Sequence, residues 1–195
     1  MANPKKAVAK KVKKWFMVHA PQLFGGEELG EIIAEEPEKL INRVLRLSLG
    51  DLTGKMGPTS AYTFVGIRIK EVNGIACMTQ LVGHEMSPVY LSTIIRRRRS
   101  ILDLVRDVTT ADGVKLRVKL LLISVSKLSG KQANALRRAL ADALAEEAKK
   151  ESFDKFIQEI LFGRMSTKLF NSLKKIAPLR RIEVRKTEMA EVFKK

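Results

Sequence analysis

Two dipeptides, Asn73-Gly74 and Asp112-Gly113, constrain the fold of this chain more than any other feature. Each lies between runs of alternating apolar and polar residues. Each is also the pair that a two-residue hairpin favours, because both turn positions take a positive φ. Before Asn73, Tyr62, Phe64, Val65, Ile67, Ile69 and Val72 interleave with Arg68 and Lys70, and residues 75–82 return as the partner strand. Before Asp112, Leu102, Leu104 and Val108 alternate over 101–109, and residues 114–126 return. A shorter run, Val44, Leu45, Leu47 and Leu49, stops at Gly50-Asp51, which reads as a turn. Successive hairpins favour an antiparallel sheet or barrel.

Helical periods fill the rest. Ser87-Pro88 reads as an N-cap followed by proline at the first helical position, with Tyr90, Leu91, Ile94 and Ile95 as the buried stripe and Arg96, Arg97, Arg98 and Arg99 at the end. Over 130–150, Ala133, Leu136, Leu140 and Leu144 repeat on one side, and Arg137 and Arg138 lie off it. Phe153, Phe156, Ile157, Ile160 and Leu161 mark a short helix stopped by Gly163. Ser166 reads as the cap of another, with Leu169, Phe170, Leu173 and Ile176 inward and Pro178 past its end. Ile182 and Val184 then mark a closing strand over 179–187. The expected fold is α+β: an antiparallel β-barrel-like core with an inserted helix and an appended C-terminal helical segment. Residues 1–14 form a flexible basic arm in this reading. Residues 15–195 form a single RNA-binding domain, β-rich over 40–126, helical over 130–177 and closed by the strand at 179–187. Residues 21–39, with Pro21, Gly25, Gly26, Gly30 and six glutamates, read as an acidic loop facing solvent or a basic protein neighbour.

Charge carries the functional argument. Lys and Arg number 37 against 21 acids in 195 residues, a formal net charge of +16. Such an excess repels itself in a compact state, and its usual counterpart is a polyanion, nucleic acid above all. The cations are grouped. Lys5, Lys6, Lys10, Lys11, Lys13 and Lys14 fill the arm without one acid. Four adjacent arginines at 96–99 exceed what a helix dipole needs, and nearby phosphates would relieve their repulsion. Lys115, Arg117 and Lys119 share one face of a strand at intervals of about 7 Å, comparable to phosphate spacing along a strand. The residues selected for RNA contact are therefore Lys10, Lys11, Lys13, Lys14, Arg96, Arg97, Arg98, Arg99, Lys115, Arg117, Lys119, Arg137 and Arg138. Trp15 joins them as a stacking or anchoring residue, although a core position is the commoner place for such a side chain.

Other chemistry finds no support. One cysteine, Cys77, excludes an intrachain disulfide and a cysteine-based zinc module, and its apolar surroundings read as core. His19 and His84 are too few for a metal site, and no nucleophile motif accompanies His84-Glu85. Gly50-Asp51-Leu52-Thr53-Gly54-Lys55 has the wrong glycine spacing for a phosphate loop, and Met56 stands where a hydroxyl must hold magnesium. No apolar stretch approaches the roughly 20 residues of a membrane helix. The N-terminus shows no apolar signal segment, so the chain is expected in the cytosol, with no enzyme activity, cofactor or metal.

Several segments, in order, resemble one family. They are Lys14-Trp15-Phe16-Met17-Val18-His19-Ala20-Pro21 followed by Phe24, then Gly74-Ile75-Ala76-Cys77-Met78-Thr79, then Val108-Thr109-Thr110-Ala111-Asp112-Gly113, and finally Ile176-Ala177-Pro178-Leu179 with Ile182-Glu183-Val184-Arg185-Lys186. Together they are similar to the archaeal and eukaryotic small-subunit ribosomal protein family called S-three-A, or S-one in eukaryotic-type naming. Short tails and the alanine-rich helix at 133–148 suggest its archaeal branch. The resemblance implies a β-barrel-like core on the platform of the small ribosomal subunit, near the messenger exit. It also implies ribosomal RNA and neighbouring ribosomal proteins as partners, and no catalysis or cofactor. The alternative from a different class is a free-standing basic RNA-binding translation or RNA-processing factor.

Overall fold

The computed structural model describes residues 12–54, 57 and 59–190. Eight strands and five α-helices are found among them: β1 (Lys14–His19), β2 (Glu28–Ala34), β3 (Val44–Ser48), α1 (Leu49–Thr53), β4 (Thr63–Asn73), β5 (Ala76–Met86), α2 (Pro88–Ile94), β6 (Ile101–Thr109), β7 (Lys115–Ser124), α3 (Gly130–Lys150), α4 (Phe153–Leu161), α5 (Arg164–Leu173) and β8 (Leu179–Met189). Both hairpins form at the expected places, but only Gly74 and Gly113 take a positive φ, at 64° and 78°; Asn73 and Asp112 do not, so neither dipeptide is the expected two-residue turn. The chain divides into two compact units, one from Met1–Leu45 with Ile67–Leu81, the other from Arg46–Gly66 with Val82–Lys195. β3, β4 and β5 contribute residues to both.

In the first unit, β1 pairs antiparallel with β2 and parallel with β5, where Met17 and Val18 face Ala76 and Cys77. Cys77 is fully buried, as its apolar surroundings suggest. The acidic segment is therefore not all loop. Gly25 and Gly26 turn the chain in the left-handed region, at φ 92° and 70°, and Glu28–Ala34 returns as β2. The glutamates obscured this strand, because its apolar residues, Leu29, Ile32 and Ile33, are few and interrupted by Gly30. A register shift between Val18 and His19 accommodates that stretch.

In the second unit, β6 and β7 pair from Ile101↔Ile123 to Thr109↔Lys115, and β8 lies antiparallel between β7 and β5. The strand path runs β2-β1-β5-β8-β7-β6, with β4 pairing β3 and β5, and it ends at β2 and β6 without closing among the described residues. The expected antiparallel barrel-like core is corrected to a mixed open sheet. The parallel β1–β5 pair needs a long connection, which no local hairpin signal announces.

The core of the second unit lies where helices cover this sheet. Leu116, Val118, Leu120 and Leu122 of β7 are 0–2% exposed. α3 lies against β6, and α5 against β8. Leu136, Leu140 and Leu144 of α3 and Leu169 and Leu173 of α5 are buried, each contributing on the order of 1.5–3 kcal/mol. A capping box closes the start of α3, with Ser129 Oγ accepting from Gln132 N and Gln132 Oε1 accepting from Ser129 N. Lys168 of α5 then reaches Glu159 at 2.6 Å, Glu151 at 3.0 Å and Glu147 at 3.5 Å, binding three helical segments around one ammonium. Hydrogen bonds to Glu159 and Glu151 hold that ammonium well above the ordinary lysine range.

Several local expectations are corrected. Gly50-Asp51 does not turn the chain. Ser48 Oγ accepts from Asp51 N at 3.1 Å and starts the short helix α1. α2 ends at Ile94, buries no residue, and its Ser87 makes no side-chain cap bond. Gly163, not Ser166, is the N-cap of α5, because its left-handed backbone breaks α4 and starts the next helix at once. Ile176 is 41% exposed rather than inward, since α5 stops at Leu173.

Candidate nucleic-acid interface

The four arginines occupy a turn rather than a helix end. Ile95 leaves the helix with extended backbone, and Arg98 adopts φ 63°. The helix-dipole explanation therefore does not apply to them. Arg96, Arg97 and Arg98 are exposed. Arg99 is half-buried, and its Nη1 is buried without a hydrogen-bond partner among the described residues.

Two serines fasten this turn to the sheet. Ser124 N donates to Ser100 O at 3.0 Å, and Ser100 N donates to Ser124 Oγ at 2.9 Å. Leu128 N donates to Ser100 Oγ at 2.9 Å, bringing in the approach to α3. Val125 N donates to Pro178 O at 3.0 Å, bringing in the approach to β8. Three stretches thus meet at one end of the β6-β7-β8 sheet: 87–102, 122–141 and 160–182. None of them contains an aspartate or glutamate. The cations within four residues of Ser100, Leu128 or Pro178 along the chain are Arg96, Arg97, Arg98, Arg99, Lys127, Lys131, Lys174, Lys175, Arg180 and Arg181, the last of which pairs with Glu183. Arg137 and Arg138 follow on the exposed side of α3, about two turns from its start. Arg137 also donates to Asn134 Oδ1 at 3.3 Å. Sequence reading selected the arginine run and Arg137-Arg138 but missed Lys127, Lys131, Lys174, Lys175, Arg180 and Arg181. The signal was present in the acid-free composition of the three stretches, while their convergence was not.

The strand stripe behaves differently. Lys115 is exposed, but Arg117 makes a bidentate ion pair with Asp107 on β6, at 2.7 and 3.0 Å. Lys119 reaches Glu188 on β8 at 3.0 Å, and Lys186 reaches the same carboxylate at 3.1 Å. The hydrogen bond from Arg117 holds Asp107 below the usual carboxylate range, and those from Lys119 and Lys186 do the same for Glu188. Two of the three stripe cations are thus matched by acids on neighbouring strands. Counting outward from a two-residue turn at Asp112-Gly113 would set Val108 opposite Arg117; the observed three-residue loop 111–113 shifts the register by one and brings Asp107 there instead.

In the first unit, Trp15 is 59% exposed, opposite Ile33 on β2, and is not a core residue. Alternation along β1 buries Phe16 and Val18 and turns Trp15 outward. Lys13 and Lys14 are exposed, and Lys14 begins β1 rather than ending an arm. Lys10 and Lys11 lie outside the described residues.

His84 is the one strongly perturbed imidazole. It is buried, and burial pushes its pKa down to about 4. Among the described residues no cluster of three or more His, Cys, Asp or Glu side chains is arranged to hold a metal ion.

Comparison with known proteins agrees with the resemblance in the sequence. The model of the Ribosomal S3Ae family matches residues 3–192. The chain is 37% identical over 185 residues to the small ribosomal subunit protein eS1 of Methanothrix thermoacetophila, covering 95% of this chain and 87% of that protein. It is 37% identical over 179 residues to the eS1 protein of Sulfurisphaera tokodaii, covering 92% of each. Against the eS1 protein of Sulfolobus acidocaldarius it is 35% identical over 184 residues, covering 94% and 93%. The chain belongs to the ribosomal S3Ae family.

Proposed function

We propose that this chain is a structural component of the small ribosomal subunit that binds ribosomal RNA through the basic end of its β6-β7-β8 sheet. As a member of a ribosomal protein family it is a constituent of the particle, not an enzyme. The observation that carries the RNA reading is the convergence of three acid-free stretches, pinned by Ser100, Ser124 and Pro178, on the turn that holds Arg96–Arg99. Exposed guanidinium groups on a turn can reach phosphates along several directions, and bidentate donation suits phosphate oxygens. Phosphate contacts supply affinity, while the shape of the RNA and the protein neighbours supply the address.

The finer assignment follows the family resemblance. The chain sits on the platform near the messenger exit, in the cytoplasm, against neighbouring small-subunit proteins. The acidic segment around β2 faces solvent or a basic protein neighbour, since RNA would repel it. Lys10, Lys11 and Lys13, with Lys14 at the start of β1, contact RNA, and Trp15 offers an exposed ring for stacking or anchoring.

The test is sedimentation of a cell lysate on a high-salt sucrose gradient. Stoichiometric co-migration with the small subunit is expected. Migration at the top of the gradient would reject the reading in favour of a free RNA-binding factor.

A further inference from the structure

We propose that a cavity in the second unit, between α1, the α4–α5 junction and the start of β8, takes one unpaired guanosine extruded from the bound RNA. This rests on the RNA-binding reading above and adds a specific ligand to it.

The cavity has a volume of about 520 Å³. That lies within the range of small-ligand sites and is ample for a base and its ribose. Its apolar wall includes Leu49, Leu161, Phe162 and Phe170, and its polar wall includes Arg180 and Glu183. Phe162 is 54% exposed, an unusual position for a phenyl ring. Its main chain is held by hydrogen bonds: Phe162 N donates to Gln158 O at 2.9 Å, and Gly163 N donates to Ile160 O at 3.1 Å. An uncovered ring at the wall of a cavity offers a stacking surface to a flat partner.

Glu183 is the other unusual feature. It is 8% exposed, Arg181 pairs with it and Tyr90 hydrogen-bonds to it, and each carboxylate oxygen keeps a second lone pair to accept with. A buried carboxyl group lining a cavity can accept hydrogen bonds from a base edge. Guanine presents two adjacent donors, N1–H and N2–H, which match the two oxygens of a carboxylate. Arg180, which lines the cavity, supplies the charge that attracts the attached phosphates. That charge favours a nucleotide over a basic peptide. An extruded base is also the form in which RNA sequence is read, because the A-form major groove is too narrow for side chains.

The experiment compares the full chain on RNA hairpins with one stem sequence: fully paired, with a single unpaired guanosine, or with a single unpaired uridine. Binding is measured by competition at fixed salt. The guanosine bulge is expected to bind about tenfold tighter than the paired stem and tighter than the uridine bulge. Phe162→Ala and Glu183→Gln should each remove that preference while leaving affinity for the paired stem and its salt dependence unchanged. Phe162→Tyr should retain it. Equal binding of the three hairpins, or a preference that survives Phe162→Ala, overturns the proposal and assigns the groove to a protein neighbour. Failure to bind any hairpin overturns the RNA-binding reading itself, and the cavity proposal falls with it.

Discussion

His84 on β5 and Thr187 on β8 are joined by two hydrogen bonds. His84 N donates to Thr187 Oγ1 at 3.1 Å, and the Thr187 hydroxyl meets His84 Nδ1 at 2.7 Å. The other ring nitrogen, Nε2, lies 3.2 Å from Val184 O, an acceptor only, so Nε2 carries the proton and donates. Nδ1 then accepts from the threonine hydroxyl, whose oxygen remains free to accept from the backbone. The pair thereby satisfies a neutral imidazole in the core and ties two strands that are 103 residues apart in sequence.

This arrangement predicts acid sensitivity. Burial lowers the His84 pKa from 6.5 to about 4, so between these values the unfolded chain binds a proton that the folded chain does not. Stability should fall as pH drops from 6.5 towards 4. By pH 4.5 the loss from this residue should be about 2 kcal/mol. Urea titrations of the native chain and His84→Gln at pH 7 and pH 4.5 measure it. A native-minus-variant difference that does not shrink in acid would contradict the assignment.

Gly83 should tolerate no side chain. A Cβ there would lie 2.1 Å from Thr187 O and 3.0 Å from Thr187 C, both of them backbone atoms that cannot swing aside. Gly83→Ala must push β5 from β8 and disturb the His84–Thr187 pair beside it. The expected cost is about 3 kcal/mol or more, read as a lowered melting temperature. A near-native melt would show that the two strands separate easily.

Asp112 has a second task besides turning the hairpin. Its Oδ2 accepts from Phe153 N at 2.6 Å, capping α4 from 41 residues away, while Ser152, the local N-cap, makes no such bond. Asp112→Ala should cost about 1–2 kcal/mol, and Asp112→Asn distinctly less. Amide exchange at Phe153 should quicken in the alanine variant. Unchanged exchange there would deny the cap.

The two groups of cations should separate in RNA binding. Arg97→Glu with Arg98→Glu should weaken binding at least tenfold, reduce its salt dependence and prevent incorporation into small subunits. Arg117→Ala should change affinity less than about twofold, because Asp107 already neutralises that guanidinium. Filter binding across a salt series distinguishes them. Equal losses would return the β7 stripe to the interface.

Much of the local structure was legible along the chain. The two glycine hairpins and the periods of α3, α4 and β8 lie where alternation and 3.6-residue repeats set them, because those signals need only neighbouring residues. β2 was hidden by its glutamates, and the exposure of Trp15 followed only from the alternation of β1. Of the interface, the arginine run was plain and its acid-free neighbours were countable. The neutralised stripe of β7 was not recognised, because Asp107 and Glu188 belong to other strands.

The sequence by itself determined the charge, the hairpins, the amphipathic helices and the family, since each is a property of composition or short-range order. Tertiary structure alone decided that the sheet stays open with one parallel pair, that Ser100, Ser124 and Pro178 gather three basic stretches at one end, and that Asp112 caps a helix 41 residues away. These depend on which distant backbone groups meet. Long-range hydrogen bonds and burial select those meetings, and no local pattern of side chains encodes them.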